Sequence, residues 1–557
     1  MILKKFDKIL SKILNNFGTY QASTMAEPIV TIKYGKLRGA IGVDYDGKEF
    51  YRFQGIPFAK PPIGALRFKA PEPPNSWKGV KDATKNGNQP AYGESLFPSE
   101  CQSEDCLFLN VYTPELPGRN TELKPVMVWI YGGGFISGSS SCAVYGPEFL
   151  ITKEVVIVTF NYRGGIFGFL NFEDPTLDIP GNAGFKDQVM ALRWIQENIR
   201  EFGGDSNNVT IFGESAGSVS VQCMILSPLA KGLFHKAILQ SGSIFGNWTR
   251  TKRALPFLTK QLSINTTNEK EILDRLSKMN SNEILELQSK IPDGRQNFFK
   301  RCFGLVIENA KAPSAFLTRE PIEIILSGDY NHVPIIIGFT SLEGMVVDFF
   351  GENVPNTYII DDFEEIVPYE LNIDRGSKLS KIIANKIKKF YYGPYDCSKE
   401  YEHQYYMLVG DLTITWPTLF SARIFTSTTD KPVYLYRISI ESTLSIYKKM
   451  RENNCPGVCH GDDLGYFFKC VMAPSIIPGS VEDLTIRRCV TLWSNFAKYG
   501  NPNPLQLDSL INVCWKPVWN NTLNYLEIGD NLTTGINPEE NRMKFWDEIY
   551  SLIYKVS

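Results

Sequence analysis

The stretch Val209-Thr210-Ile211-Phe212-Gly213-Glu214-Ser215-Ala216-Gly217 sets a short apolar run against a serine flanked by glycines. The run reads as a strand, and residues 216–226 carry a helical pattern, so the serine falls on a sharp strand-to-helix turn. A hydroxyl at its ordinary pKa is a poor nucleophile and must be offered to a base without steric shielding. A turn of this kind lifts the side chain above the sheet edge, and its crowding explains Gly213 and Gly217, two residues to either side. Ser215 is the candidate nucleophile.

Outward from this turn the chain alternates. Residues 125–130, 155–160, 237–239, 334–338 and 433–436 are uniformly apolar strands, and 183–202 has helical periodicity. Such strands, separated by helical segments, predict an α/β architecture with a large, mostly parallel sheet buried on both faces, flanked by helices and interrupted by long insertions. Active sites in these sheets lie beyond the carboxyl ends of the strands, which is where Ser215 falls. Residues 29–40 read as a hairpin, and 50–80 as a Pro-rich irregular stretch.

A second feature follows the strand at 125–130. Gly132-Gly133-Gly134 precede Phe135, and a run without side chains lets backbone N–H groups converge on one point. Acyl transfer places negative charge on a former carbonyl oxygen, which preorganised donors must meet. The amide of Ala216, at a helix N-terminus beside the nucleophile, supplies a further donor.

Four histidines make elimination possible. A nucleophile on a strand-to-helix turn is followed along the chain by the acid and then the base, and His403 and His460 both leave room for that order. His460, in a turn within Cys455-Pro456-Gly457-Val458-Cys459-His460-Gly461-Asp462-Asp463, is the choice. The Cys-x-x-x-Cys-His spacing is one residue too long for haem attachment, and no second ligand pair exists for zinc, so no metal or cofactor is expected. The acid should follow the strand ending at Gly338; Glu343, in Phe339-Thr340-Ser341-Leu342-Glu343-Gly344, is the carboxylate on that loop.

The chain has 557 residues, 43% of them hydrophobic, and no linker, repeat or low-complexity tract at which to divide it. Residues 28–557 are therefore expected to form one catalytic domain. The net charge of −2, with scattered Lys and Arg, excludes the basic stripe of a nucleic-acid binder. Eleven cysteines are an odd number; Cys223, Cys302 and Cys489 read as buried free thiols, and Cys101 and Cys106 are close enough to pair, which spacing alone does not establish. Five Asn-x-Ser/Thr sequons, at Asn208, Asn247, Asn265, Asn520 and Asn531, are about what chance supplies.

At the N-terminus, Ile2, Leu3, Phe6, Ile9, Leu10, Ile13, Leu14 and Phe17 recur at helical spacing, with Lys4, Lys5, Lys8 and Lys12 around them. Residues 1–20 thus predict an amphipathic helix, either a peripheral anchor whose residues 1–17 contact a membrane surface or a helix docked on its own domain. A secretory leader needs a continuous apolar run and a small-residue cleavage site, neither of which is present, and no twenty-residue apolar run spans a membrane.

Several blocks together resemble the type B carboxylesterase/cholinesterase family along nearly the whole chain. They are Phe53-Gln54-Gly55-Ile56-Pro57-Phe58-Ala59, Ser103-Glu104-Asp105-Cys106-Leu107-Phe108-Leu109-Asn110, Asn161-Tyr162-Arg163, Pro180-Gly181-Asn182-Ala183-Gly184 and Gln240-Ser241-Gly242-Ser243. The resemblance implies the α/β-hydrolase fold, hydrolysis of small-molecule carboxylic esters without a cofactor, and reaction with organophosphates. It implies Ser215, Glu343 and His460 as a triad, with Gly133, Gly134 and Ala216 donating to the oxyanion. Glu214 would polarise the deacylating water, Ser241 would support the site, and Trp248, Phe303 and Tyr145 would line the substrate pocket. Within the family the chain is most similar to intracellular, cytoplasmic insect α-esterases. Residues 85–104 lack the Trp that cholinesterases use to stack on choline, and no Cys precedes Cys101 to form the family's usual first disulfide.

Overall fold

The computed structural model describes residues 27–553 apart from 93–100, 119–121, 252–254, 292–301, 313, 350–357, 507 and 521. The amphipathic N-terminal segment and its expected membrane contact lie outside the described residues.

Among the described residues, eleven strands form the central sheet. They are β1 (Ala40–Val43), β2 (Glu49–Pro57), β3 (Phe108–Thr113), β4 (Lys124–Ile130), β5 (Val156–Phe160), β6 (Gly204–Glu214), β7 (Lys236–Gln240), β8 (Ile335–Thr340), β9 (Val433–Ile438), β10 (Asn524–Ile528) and β11 (Leu532–Ile536). Their spatial order is β11-β10-β9-β8-β7-β6-β4-β5-β3-β2-β1. Pairings from β5 through β4, β6, β7, β8 and β9 to β10 are parallel, and both margins are antiparallel. The parallel strands read as unbroken apolar runs because both faces are covered: every residue of β5, β7 and β8 is buried.

Helices α1 (Ala183–Asn198) and α2 (Ala216–Leu226) follow β5 and β6 in the chain. Every residue of α2 is buried, so its pattern is apolar all round rather than striped. Later come α3 (Glu402–Gly410), α4 (Trp416–Thr428) and α5 (Val481–Tyr499). No helix among the described residues is long and apolar enough to cross a membrane.

The expectation of an irregular stretch from residue 50 is corrected at its start, where β2 runs nine residues and pairs with both β1 and β3. Its register shifts between Phe53 and Ile56, and Gly55 has φ +69°, so a bulge breaks the alternation that would have marked it as a strand. The hairpin expected at 29–40 is present as an antiparallel pair, Ile29–Ile32 with Gly35–Arg38. All eleven cysteines are free thiols; Cys101 is exposed and Cys106 buried, and they do not pair.

Candidate active site

The strand order places the site. The chain passes from β4 to β5 on one side and then to β6 on the other, so β4 and β6 flank the point where the order reverses. Gly213 stands in register with Ile130, which brings the ends of the two strands side by side. Gly132 leaves β4 directly against the elbow: a Cβ there would lie 2.7 Å from Glu214 O and 2.9 Å from Ser215 Cβ.

Ser215 has φ +58° and ψ −123°, a conformation costly for any residue with a side chain, and it caps α2. Its N–H donates to Gln240 O at 2.9 Å, and its carbonyl accepts from Val219 N–H at 3.0 Å. These bonds at both ends of the residue hold the strain in place. Gly217 explains the second glycine: a Cβ there would run into Ile130 O. Gly217→Ala should therefore destabilise the fold by about 3 kcal/mol, measured from the denaturant midpoint; an unchanged midpoint would show that the β4–α2 approach is looser than described.

In the glycine turn, Gly133 (φ +106°), Gly134 (φ +61°) and Phe135 (φ +65°) are all left-handed. The Gly133 carbonyl is committed to the N–H groups of Ile136 and Ser137 at 3.1 Å. Beneath the turn, Tyr131 and Tyr162 stack at 4.5 Å, and each hydroxyl donates to the other's carbonyl. The approach to the turn is thus held by a buried tyrosine pair.

Of the four histidines, the structure brings one to the elbow. His235 Nδ1 accepts from Val209 N–H, on the half of β6 remote from Ser215. His332 is exposed and stacked on Tyr330, and His403 lies on α3. His460 is buried, with Nδ1 2.6 Å from Glu343 Oε2. The other Glu343 oxygen, Oε1, accepts from Thr340 N–H at 2.6 Å. Two ties lock the loops that carry these residues: Leu342 N–H to Val458 O at 3.0 Å, and Val458 N–H to Ser341 Oγ at 2.9 Å.

The other imidazole nitrogen was not anticipated. His460 Nε2 lies 3.0 Å from Glu214 Oε1, an ion-pair separation. Among the described residues no hydrogen bond joins His460 to Ser215. Burial would lower the imidazole pKa, but the charges of Glu214 and Glu343 outweigh it and hold it well above its ordinary value. Asp463 adds a carboxyl that sequence reading had noted only as a neighbour of His460. It is buried and accepts from Gln240 Nε2 at 3.0 Å. Burial, with Glu214 nearby, pushes its pKa up to about 7.

The other expected residues stand as follows. Trp248 is buried, its ring 6.2 Å from that of Phe135. Phe303 is buried in a segment joined to the Trp248 loop by Leu305 N–H to Thr249 O at 3.1 Å. Tyr145 packs against Trp129 and Phe468 within the electrostatic reach of Glu214. Ser241 is buried at the end of β7, its hydroxyl without a hydrogen bond among the described residues. The sequon at Asn247 is 1% exposed, so the folded chain does not present it.

Comparisons with known proteins show the family. The profile of the carboxylesterase family matches residues 26–546. The chain is 35% identical to juvenile hormone esterase of Tribolium castaneum, over 90% of this chain and 87% of that one. It is 34% identical to para-nitrobenzyl esterase of Bacillus subtilis (strain 168), over 94% and 99%. A crystal structure of juvenile hormone esterase from Manduca sexta, with OTFP covalently attached, superposes with a TM-score of 0.84 at 29% identity, covering 94% of this chain and all of that one. The chain belongs to the carboxylesterase family and is a carboxylic ester hydrolase of the α/β-hydrolase fold.

Proposed function

We propose that the chain hydrolyses esters through a covalent acyl-enzyme formed on Ser215, with His460 as base and Glu343 as its orienting acid. The observation that carries this reading is the buried imidazole of His460, hydrogen-bonded to Glu343 through Nδ1 and drawn by Nε2 to the residue before Ser215. Once His460 loses its proton the attraction to Glu214 falls away, and Nε2 can accept from Ser215 Oγ; such bonds tighten when substrate enters.

In the forward step Oγ attacks the ester carbonyl while His460 takes its proton. The N–H groups of Gly133, Gly134 and Ala216 receive the oxyanion. Collapse breaks the bond to the alcohol, which leaves with the proton from His460. Water, oriented beside Glu214, then attacks the acyl-enzyme with His460 again as base, and the acid departs. Trp248 and Phe303 line the acyl side, with Tyr145 near Glu214, and Ser241 supports the strand ends. Strands drawn from residue 40 to residue 536 into one sheet support reading residues 28–557 as a single catalytic unit.

The raised pKa of His460 sets the pH dependence. Catalysis needs the neutral imidazole, so kcat/KM should rise with pH through the His460 pKa of the free enzyme. Removing one carboxylate charge lowers that pKa, so Glu214→Gln should move the acidic limb to lower pH. A pH profile of kcat/KM with the limb unmoved would remove Glu214 from this role.

Organophosphates carry a phosphorus centre that Ser215 can attack as it would an ester carbonyl. Titration with a dialkyl aryl phosphate should abolish ester hydrolysis at one equivalent per chain. Hydrolysis surviving an excess of reagent would contradict the covalent reading.

A further inference from the structure

Pro417 is the second residue of α4 and stands four residues after Thr413. A proline has no N–H to give the carbonyl four residues back, and its ring crowds that carbonyl. The helix widens in response: Asp411–Thr415 form a π turn between α3 and α4, with the Trp416 N–H reaching back to Asp411 O. Thr413 O therefore lacks its usual donor along the helix. A buried carbonyl left unpaired is unfavourable by about 1–3 kcal/mol, and Thr413 O is paired from outside, by Trp248 Nε1–H at 3.0 Å.

This bond leads into the ester site. Trp248 belongs to the loop after β7, and its ring lies against Phe135, the residue after Gly134. A second tie, Ser243 Oγ to Ser421 Oγ at 2.7 Å, fastens the same loop to α4 two turns beyond Thr413. Between the loop and the π turn Gly246 leaves no spare room: a Cβ there would lie 2.8 Å from Thr413 O and 2.9 Å from Trp248 Nε1.

We propose that Pro417 and Thr413 are positioning residues for acyl selectivity: the proline-induced π turn presents a carbonyl that holds the Trp248 indole against Phe135 and so fixes which acyl groups fit. This rests on Ser215 as the acylated nucleophile and Trp248 as a wall of the acyl pocket. The device works through the Thr413 backbone, so Pro417 sets it rather than the Thr413 side chain.

Pro417→Ala supplies the missing N–H, lets the π turn close to a regular helix on Thr413 O, and turns that carbonyl along the helix axis and away from the indole. Trp248→Phe keeps a ring and removes the donor. The measurement is kcat/KM on p-nitrophenyl esters that share one alcohol, from acetate to hexanoate. Each variant should change the hexanoate-to-acetate ratio by about 3- to 10-fold in the same direction, and the double variant by no more than the larger single change. A general loss of structure would lower every ester by the same factor and leave the ratio unmoved. An unmoved ratio in Pro417→Ala, or effects that multiply in the double variant, would overturn the proposal. Should Pro417→Ala fail to fold, Gly246→Ala parts the same bond from the loop side and leaves the helix sequence intact, and its ratio decides in the same way. Hydrolysis retained by Ser215→Ala would instead overturn the nucleophile; hydrolysis that depends on Ser215 with an unmoved ratio overturns only the positioning role.

Discussion

Ser215→Ala is expected to lower kcat on a simple carboxylic ester by about 10⁶-fold, with the fold retained. The size follows from what the hydroxyl does: without it there is no acyl-enzyme, and the oxyanion donors and His460 can assist only direct attack by water. Stability should hold because alanine inherits the same backbone conformation, φ +58° and ψ −123°, and the hydroxyl makes no hydrogen bond with the described residues in the resting structure. Ser215→Gly separates the two properties further. Glycine tolerates this conformation, so that variant should be equally inactive yet more stable by about 1 kcal/mol. Turnover of the purified variants, with their thermal midpoints, checks both statements. Activity within tenfold of the parent would show that the nucleophile lies elsewhere.

Glu343→Gln should cost about 10⁴-fold in kcat with KM little changed. The argument lies in the two oxygens. Oε1 is fixed as an acceptor by the Thr340 N–H, so the amide oxygen must occupy that place and the NH₂ must face His460 Nδ1. The imidazole then has to accept at Nδ1 and carry its proton on Nε2, the nitrogen that should receive the Ser215 proton. The substitution preserves shape and hydrogen-bond number while imposing the wrong tautomer. Separate measurement of kcat and KM decides the matter; a fall of less than tenfold would mean that the Glu343–His460 bond does not set the base.

Much of this was legible before the structure. The parallel strands declared themselves because burial on both faces leaves only apolar residues, and α2 occupies the residues its pattern marked, 216–226. Strand β2 was hidden because the bulge at Gln54-Gly55 breaks the period-two pattern on which strand reading depends. For the site, chain order and local context pointed to Ser215, Glu343 and His460, whereas the 117-position separation of the last two carries no signal that they touch. The approach of His460 Nε2 to Glu214 could not be read at all, since it depends on where a late loop meets the elbow. The Trp248–Thr413 bond was not read from the sequence, since it joins a loop and a helix 165 positions apart.

The central claim is that Ser215 becomes acylated, and the most direct test is to find the acyl group. Wild-type protein mixed with p-nitrophenyl hexanoate and quenched in acid within the first turnovers should gain one hexanoyl group by intact mass. Peptide mapping should place that group on the segment containing Gly213-Glu214-Ser215-Ala216-Gly217, and Ser215→Ala should gain none. A hexanoyl group mapped to another residue, or the same adduct on Ser215→Ala, would contradict the account.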